Sequence, residues 1–208
     1  MSANSNIFEY IKLPMSSFQI HYLEWNIPLE NETLQSYALR MTKQVMHENP
    51  ILLGVSFGGI LVQEMNKYIV VRKTIVISSV LNESDYPYRF KFAKATKIYK
   101  LIPMYIFSDI DKLAKYAFGS TIKNRVALYK KYLSVNDINY LNWSVEQIIN
   151  WKQTQQLDNI IHIHGSNDKV FPVKNIKSKY IKVNNGTHIM IINKYKWFNE
   201  NLPTLLLA

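Results

Sequence analysis

Ile51-Leu52-Leu53-Gly54-Val55-Ser56-Phe57-Gly58-Gly59-Ile60-Leu61-Val62-Gln63-Glu64-Met65 decides the fold. An apolar run at 51–53 enters, a helix-like run at 60–65 leaves, and G-x-S-x-G lies between, with glycines at 54 and 58 and serine at 56. The pattern predicts a strand, a very tight turn and a helix. A residue on so sharp a turn sits in a strained backbone conformation. Strand and helix approach closely there, so Cβ atoms at 54 and 58 are expected to clash. The turn lifts the Ser56 hydroxyl above the sheet edge. It also sets the Phe57 N–H and the helix N-terminus where negative charge can develop.

Working outward, the flanking segments repeat the strand–helix rhythm. Asn6–Ile11 reads as a short helical turn closed by Pro14. Phe18–Trp25, rich in aromatic and branched residues, reads as a strand. Asn31 is a candidate helix cap, and Leu34, Tyr37, Ala38, Met41 and Val45 recur on one helical face. The helix after the tight turn is expected over 58–68. Thr74–Val80 is a nearly unbroken β-branched run, as suits a parallel strand covered on both faces. Asn159–Gly165 and Tyr180–Val183 complete the strands, and a last helix is expected over 189–201 with Pro203 beyond it. Alternation of this kind gives an α/β fold, a mostly parallel sheet flanked by helices. Between 82 and 155 the rhythm stops. That stretch has no convincing strand and many aromatics, punctuated by Pro87, Pro103 and Gly119. It reads as a helical cap or lid inserted into a core formed by 1–81 and 156–208, its aromatics mostly packing it down.

Composition narrows the classes. The 208 residues are 48% hydrophobic, enough for one domain with a sizeable core. No cysteine is present, which excludes disulfides, thiolate zinc sites and a cysteine nucleophile. No apolar run approaches the roughly 18–20 residues that span a bilayer. Residues 1–6 carry neither a basic nor an apolar leader segment, so the chain reads as cytoplasmic. The net charge is +10, yet the lysines are scattered and the basic pairs short. A solvated surface is therefore expected rather than a nucleic-acid interface.

Three reactive residues stand just past the carboxyl ends of expected strands: Ser56, Asp168 and His188. Ligand sites form there in open parallel sheets. His162 and His164 share one strand face; half a metal site is one reading, but no carboxylate cluster accompanies them, so a structural role is expected, with His164 near the pocket. His21 and His47 have no reactive context.

Gly54-Val55-Ser56-Phe57-Gly58, Ile163-His164-Gly165-Ser166-Asn167-Asp168-Lys169-Val170-Phe171-Pro172 and Gly186-Thr187-His188 together resemble the α/β-hydrolase fold superfamily, with a helical cap. The second piece is similar to that family's acid loop and the third to its terminal G-x-H. The order Ser, Asp, His is also the family's. The resemblance covers nearly the whole chain outside the cap. It implies Ser56 as nucleophile, His188 as base and Asp168 as acid, with the Phe57 N–H as one oxyanion donor. Glu83 and Asp85 follow the run at 74–80, where some members of that fold place the acid, and rank as runners-up to Asp168. The family's second donor follows an early strand. Residues 1–5 resemble the far side of that loop without its strand, so the second donor falls on the N–H of Met1 or Ser2. The early strands are expected to be missing, leaving a bare sheet edge open to a partner such as a second copy.

The expected activity is hydrolysis of a carboxylic ester or related small acyl compound through an acyl-serine, carboxylesterase-like, with no metal or organic cofactor implied. Thioesterase, amidase and acyltransferase chemistry would use the same residues. The alternative is a catalytically weak member of the fold that binds a small apolar ligand or a protein partner.

Overall fold

A computed structural model describes residues 3–101, 131–133 and 135–207. Four strands form one parallel sheet: β1 (Ile51–Val55), β2 (Lys73–Ile77), β3 (Ile160–Gly165) and β4 (Ile181–Val183), in that order across the sheet. Leu53 faces Ile75, Val76 faces His162 and His164 faces Lys182 across the pairs. Alternation sorts the side chains. Leu52, Val76 and Ile160 point to one layer, while Ile51, Leu53, Val55, Ile75, Ile77, Ile163 and Val183 point to the other. The β2 residues are buried throughout, which is why their sequence is unbroken rather than alternating.

The first layer holds α1 (Leu34–Thr42) and α2 (Phe57–Met65). The second holds α6 (Tyr195–Leu207), which buries Phe198, Leu202 and Leu206 behind the short α5 (Met190–Asn193). Burying one such side chain is worth about 1.5–3 kcal/mol, so these contacts outweigh local propensity. That explains one departure from expectation. Pro203 lies inside α6 rather than beyond it, because packing of Leu202 and Leu206 carries the helix past the lost N–H.

Other expectations also shift. Thr33, not Asn31, caps α1: its Oγ1 accepts from Ser36 N at 3.1 Å, while Asn31 occupies a left-handed position at φ 57° in the preceding turn. β2 stops at Ile77 because Ser78 turns left-handed, at φ 48°. Residues 18–25 do not form a strand. β1 is the sheet's edge and pairs with β2 alone among the described residues, so the segment has no ladder to join. Strand propensity without a neighbour leaves extended coil.

Of residues 82–155, those described are helical or irregular, chiefly α3 (Tyr88–Thr96) and α4 (Ile138–Asn150). The expected aromatics Tyr105, Phe107, Tyr116, Phe118 and Tyr129, with Pro103 and Gly119, lie outside the described residues. The end of α4 is tied to α2: the Trp151 indole N–H donates to Glu64 Oε1 at 2.7 Å, and Lys67 Nζ reaches the same oxygen at 2.7 Å. No helix among the described residues is long and apolar enough to cross a membrane.

Candidate active site

Ser56 closes β1 and opens α2 with φ 55° and ψ −120°, the strained conformation the turn demands. Its N–H donates to Ile77 O at 2.9 Å, and its carbonyl accepts from Gly59 N at 2.9 Å. The close approach falls differently from the sequence reading. A Cβ on Gly54 would stand 2.1 Å from Gly58 O, but one on Gly58 would meet nothing within 4 Å among the described residues. Gly59 is the second position without room, since its Cβ would lie 2.7 Å from Ser79 Cβ.

Two loops bring the other residues to Ser56. The segment after β3 and the segment after β4 are laced together by Ser166 N to Val183 O at 3.0 Å, Asn167 N to Gly186 O at 2.8 Å and Asn185 N to Ser166 Oγ at 2.8 Å. Asp168 tops the first loop, and its Oδ1 accepts from Val170 N at 2.7 Å and Phe171 N at 2.9 Å. His188 tops the second. Its Nδ1 lies 2.9 Å from Asp168 Oδ2, and its Nε2 lies 2.9 Å from Ser56 Oγ. An ionised carboxylate only accepts, so Nδ1 carries the proton and Nε2 faces the serine hydroxyl as acceptor. Asp168 is 4% exposed. Burial raises its pKa, but attraction to the facing His188 and the hydrogen bond it donates, with help from His164 and the Phe171 N–H, hold it below the ordinary value. The three residues expected from sequence thus form one hydrogen-bonded line.

No protein-family model matches the sequence, and no curated protein matches it. Solved structures do. An esterase from Exiguobacterium antarcticum superposes with a TM-score of 0.66 at 19% identity, over 99% of this chain and 88% of that one. A structure from a study of carboxylesterases of the thaumarchaeon Nitrososphaera gargenis gives 0.65 at 15% identity, over 99% and 86%. An alpha/beta hydrolase fold protein from Burkholderia ambifaria gives 0.59 at 12% identity, over 85% and 74%. The chain has the α/β-hydrolase fold.

The Phe57 N–H opens α2, where a helix has no partner of its own for its first donors. Met1 and Ser2, the expected second oxyanion donors, lie outside the described residues. The adjoining Ala3 is held: its carbonyl accepts the Trp25 indole N–H at 2.8 Å, and Trp25 stacks on Phe57 with ring centres 5.4 Å apart. Tyr140 and Trp143 of α4 close the same aromatic group. Trp25 was legible only as a strand residue, because nothing in the sequence places 18–25 beside α2. Arg89 of α3 also escaped notice. Its Nη2 donates to Lys169 O at 2.7 Å and Val170 O at 2.5 Å, fastening the loop of Asp168 to α3.

The second candidates for the acid do not bond to His188. Glu83 pairs with Lys152 at 3.7 Å on the surface. Asp85 is buried and accepts from Leu81 N, Lys177 N, Ser178 N and Ser178 Oγ, pinning the segment that leads to β4. His162 and His164 do share one strand face and meet each other. Among the described residues no three potential ligands gather to hold a metal ion. His21 and His47 lie against one another with rings tilted by 39°, 4.3 Å between ring centres, both exposed.

Proposed function

We propose that this chain is a serine hydrolase acting on a carboxylic ester or related acyl compound, with Ser56 as nucleophile, His188 as base and Asp168 as acid. The observation that carries the reading is the line from Ser56 Oγ to His188 Nε2 and from His188 Nδ1 to Asp168 Oδ2, each link 2.9 Å. Ser56 Oγ attacks the acyl carbon while its proton passes to His188 Nε2, and Asp168 stabilises the resulting imidazolium. The Phe57 N–H faces the oxygen that takes up negative charge. Collapse expels the alcohol, which leaves with the proton from His188, and the acyl group stays on Ser56. Water then loses a proton to His188 and attacks the acyl carbon. The carboxylic acid departs and Ser56 recovers its proton. That the similar structures include esterases supports the hydrolytic class. The described part of 82–155 supports a cap, since Arg89 and Trp151 fasten it to the acid loop and to α2.

Labelling with a fluorophosphonate, followed by mass spectrometry of the modified peptide, tests the reading. A stoichiometric adduct on Ser56 that is lost in both Ser56→Ala and His188→Ala is expected. Folded wild-type protein that forms no adduct would overturn hydrolysis and leave a ligand-binding protein of the same fold.

A further inference from the structure

β3 carries two imidazoles, His162 and His164, on the face where β1 and β2 place Leu52 and Val76. Both are buried, at 2% and 0% exposure. Burial, with the neighbouring imidazole's charge next, pushes His162 down to about 4; burial likewise lowers His164 against the opposing pull of Asp168. At neutral pH both rings are therefore uncharged, each with one donor and one acceptor nitrogen.

Their surroundings fix which nitrogen is which. His164 Nε2 lies 2.8 Å from Phe171 O, and a carbonyl only accepts, so Nε2 bears the hydrogen. His164 Nδ1 is then an acceptor. His162 Nε2 lies 3.1 Å from that nitrogen and 3.1 Å from Ser79 O, two acceptors, so it too bears the hydrogen. The donor of His164 has a second neighbour: Asp168 Oδ2, at 3.5 Å, is the same oxygen that receives the His188 Nδ1 hydrogen. Phe171 is gripped at both ends. Its carbonyl takes the His164 hydrogen while its own N–H donates to Asp168 Oδ1 at 2.9 Å.

An apolar side chain would fill this space with less desolvation. The imidazole pair even leaves His162 Nδ1 buried with no hydrogen-bond partner among the described residues. What the pair adds is direction. It aims one N–H from the sheet at the Phe171 carbonyl, beside the Asp168 carboxylate.

We propose that His164 is a positioning residue for Asp168, with His162 holding the His164 ring in the tautomer that the task requires. The chain of contacts runs from Ser79 O and His162 through His164 to Phe171 and Asp168, and onward to His188 and Ser56. This rests on the reading of Ser56, His188 and Asp168 as a catalytic line. It adds a second, buried pair of histidines to it.

The experiment compares wild type, His164→Leu, His164→Gln and His162→Leu. Turnover of p-nitrophenyl acetate supplies kcat and KM, and the far-downfield proton resonance of the His188–Asp168 hydrogen bond, assigned by its loss in His188→Ala, reports the geometry. His164→Leu is expected to lose or shift that resonance and to lower kcat by about 10- to 100-fold with KM nearly unchanged. His164→Gln, whose amide nitrogen can stand near Nε2, is expected to restore most of both. His162→Leu is expected to act in the same direction by a smaller factor, and it carries the test should His164→Leu fail to fold. Variants that keep the resonance and kcat while only their unfolding midpoint falls would overturn the proposal and leave the histidines as core filler. Wild type without turnover but with the assigned resonance would instead sink the hydrolase reading, and the resonance in the variants would still decide the positioning role.

Discussion

Gly165 and Gly186 cross with their backbones in contact: a Cβ on Gly165 would stand 2.3 Å from Gly186 O, and one on Gly186 would stand 2.9 Å from Gly165 Cα. This crossing sets the distance between the loop of Asp168 and the loop of His188. Gly165→Ala is expected to push the loops apart and lower fluorophosphonate labelling of Ser56 by at least about 100-fold, since a displacement near 1 Å costs that much in a reacting array. Gly58→Ala, where a Cβ meets nothing within 4 Å among the described residues, is the matched control and should label at nearly the wild-type rate. Equal labelling of the two variants would show that the crossing does not govern the geometry.

Asp168→Asn separates the structural duty of Asp168 from its proposed catalytic one. Its Oδ1 could still accept from Val170 N and Phe171 N, so the loop should hold. An amide nitrogen facing His188 Nδ1 would favour the imidazole tautomer whose Nε2 carries hydrogen and cannot take the serine proton. Ester turnover is expected to fall about 10⁴-fold, while far-ultraviolet circular dichroism and the unfolding midpoint change little. Retained turnover would remove Asp168 from the catalytic line.

Asp85→Asn is expected to behave in the opposite way. Asp85 accepts four hydrogen bonds from 81, 177 and 178 and makes none with His188. Replacing one carboxylate oxygen by a donor sets it against N–H groups, at roughly 1–3 kcal/mol. For a chain of this size that lowers the unfolding midpoint by several degrees, roughly 2–4 °C per kcal/mol. The labelling rate of Ser56 per folded molecule should be unchanged. A loss of labelling without a loss of stability would make Asp85 the acid after all.

Features legible in the sequence were those with local causes. The run 51–65 specifies its own strand, turn and helix, and the β-branched run at 74–77 matches a fully buried parallel strand. Ser56, Asp168 and His188 could be picked out because each follows such a strand. Features decided by distant partners were not legible. Phe18–Trp25 has strand composition but no ladder to join, and Gly59 rather than Gly58 is confined because Ser79 lies against it. Arg89 reads as one more surface cation until the acid loop is placed beside it. The two strand histidines were visible as a pair, but the direction of their hydrogen bonds depends on the carbonyls of Ser79 and Phe171, which only the folded chain supplies.

The buried histidines also predict how stability follows pH. An unfolded histidine takes up a proton below about 6.5. Folded His162, facing His164, Asp85, Asp168 and the Ser79 carbonyl, stays neutral down to about 4, and His164, facing Asp168 and His188, is lowered as well. Between those values the unfolded chain binds more protons, so stability falls as the pH falls and is flat above the window. The contribution of His162 by pH 4 is on the order of 3 kcal/mol. Carboxylates held low in the fold, Glu9, Glu32 and Asp168, act only below their unfolded values near 4.5 and 3.8, outside most of this range. Urea unfolding between pH 7.5 and 4.5 should therefore show a slope that shrinks in His162→Gln. An unchanged slope in that variant would mean that His162 takes up its proton without unfolding, and that the face of β3 beneath the acid loop admits water.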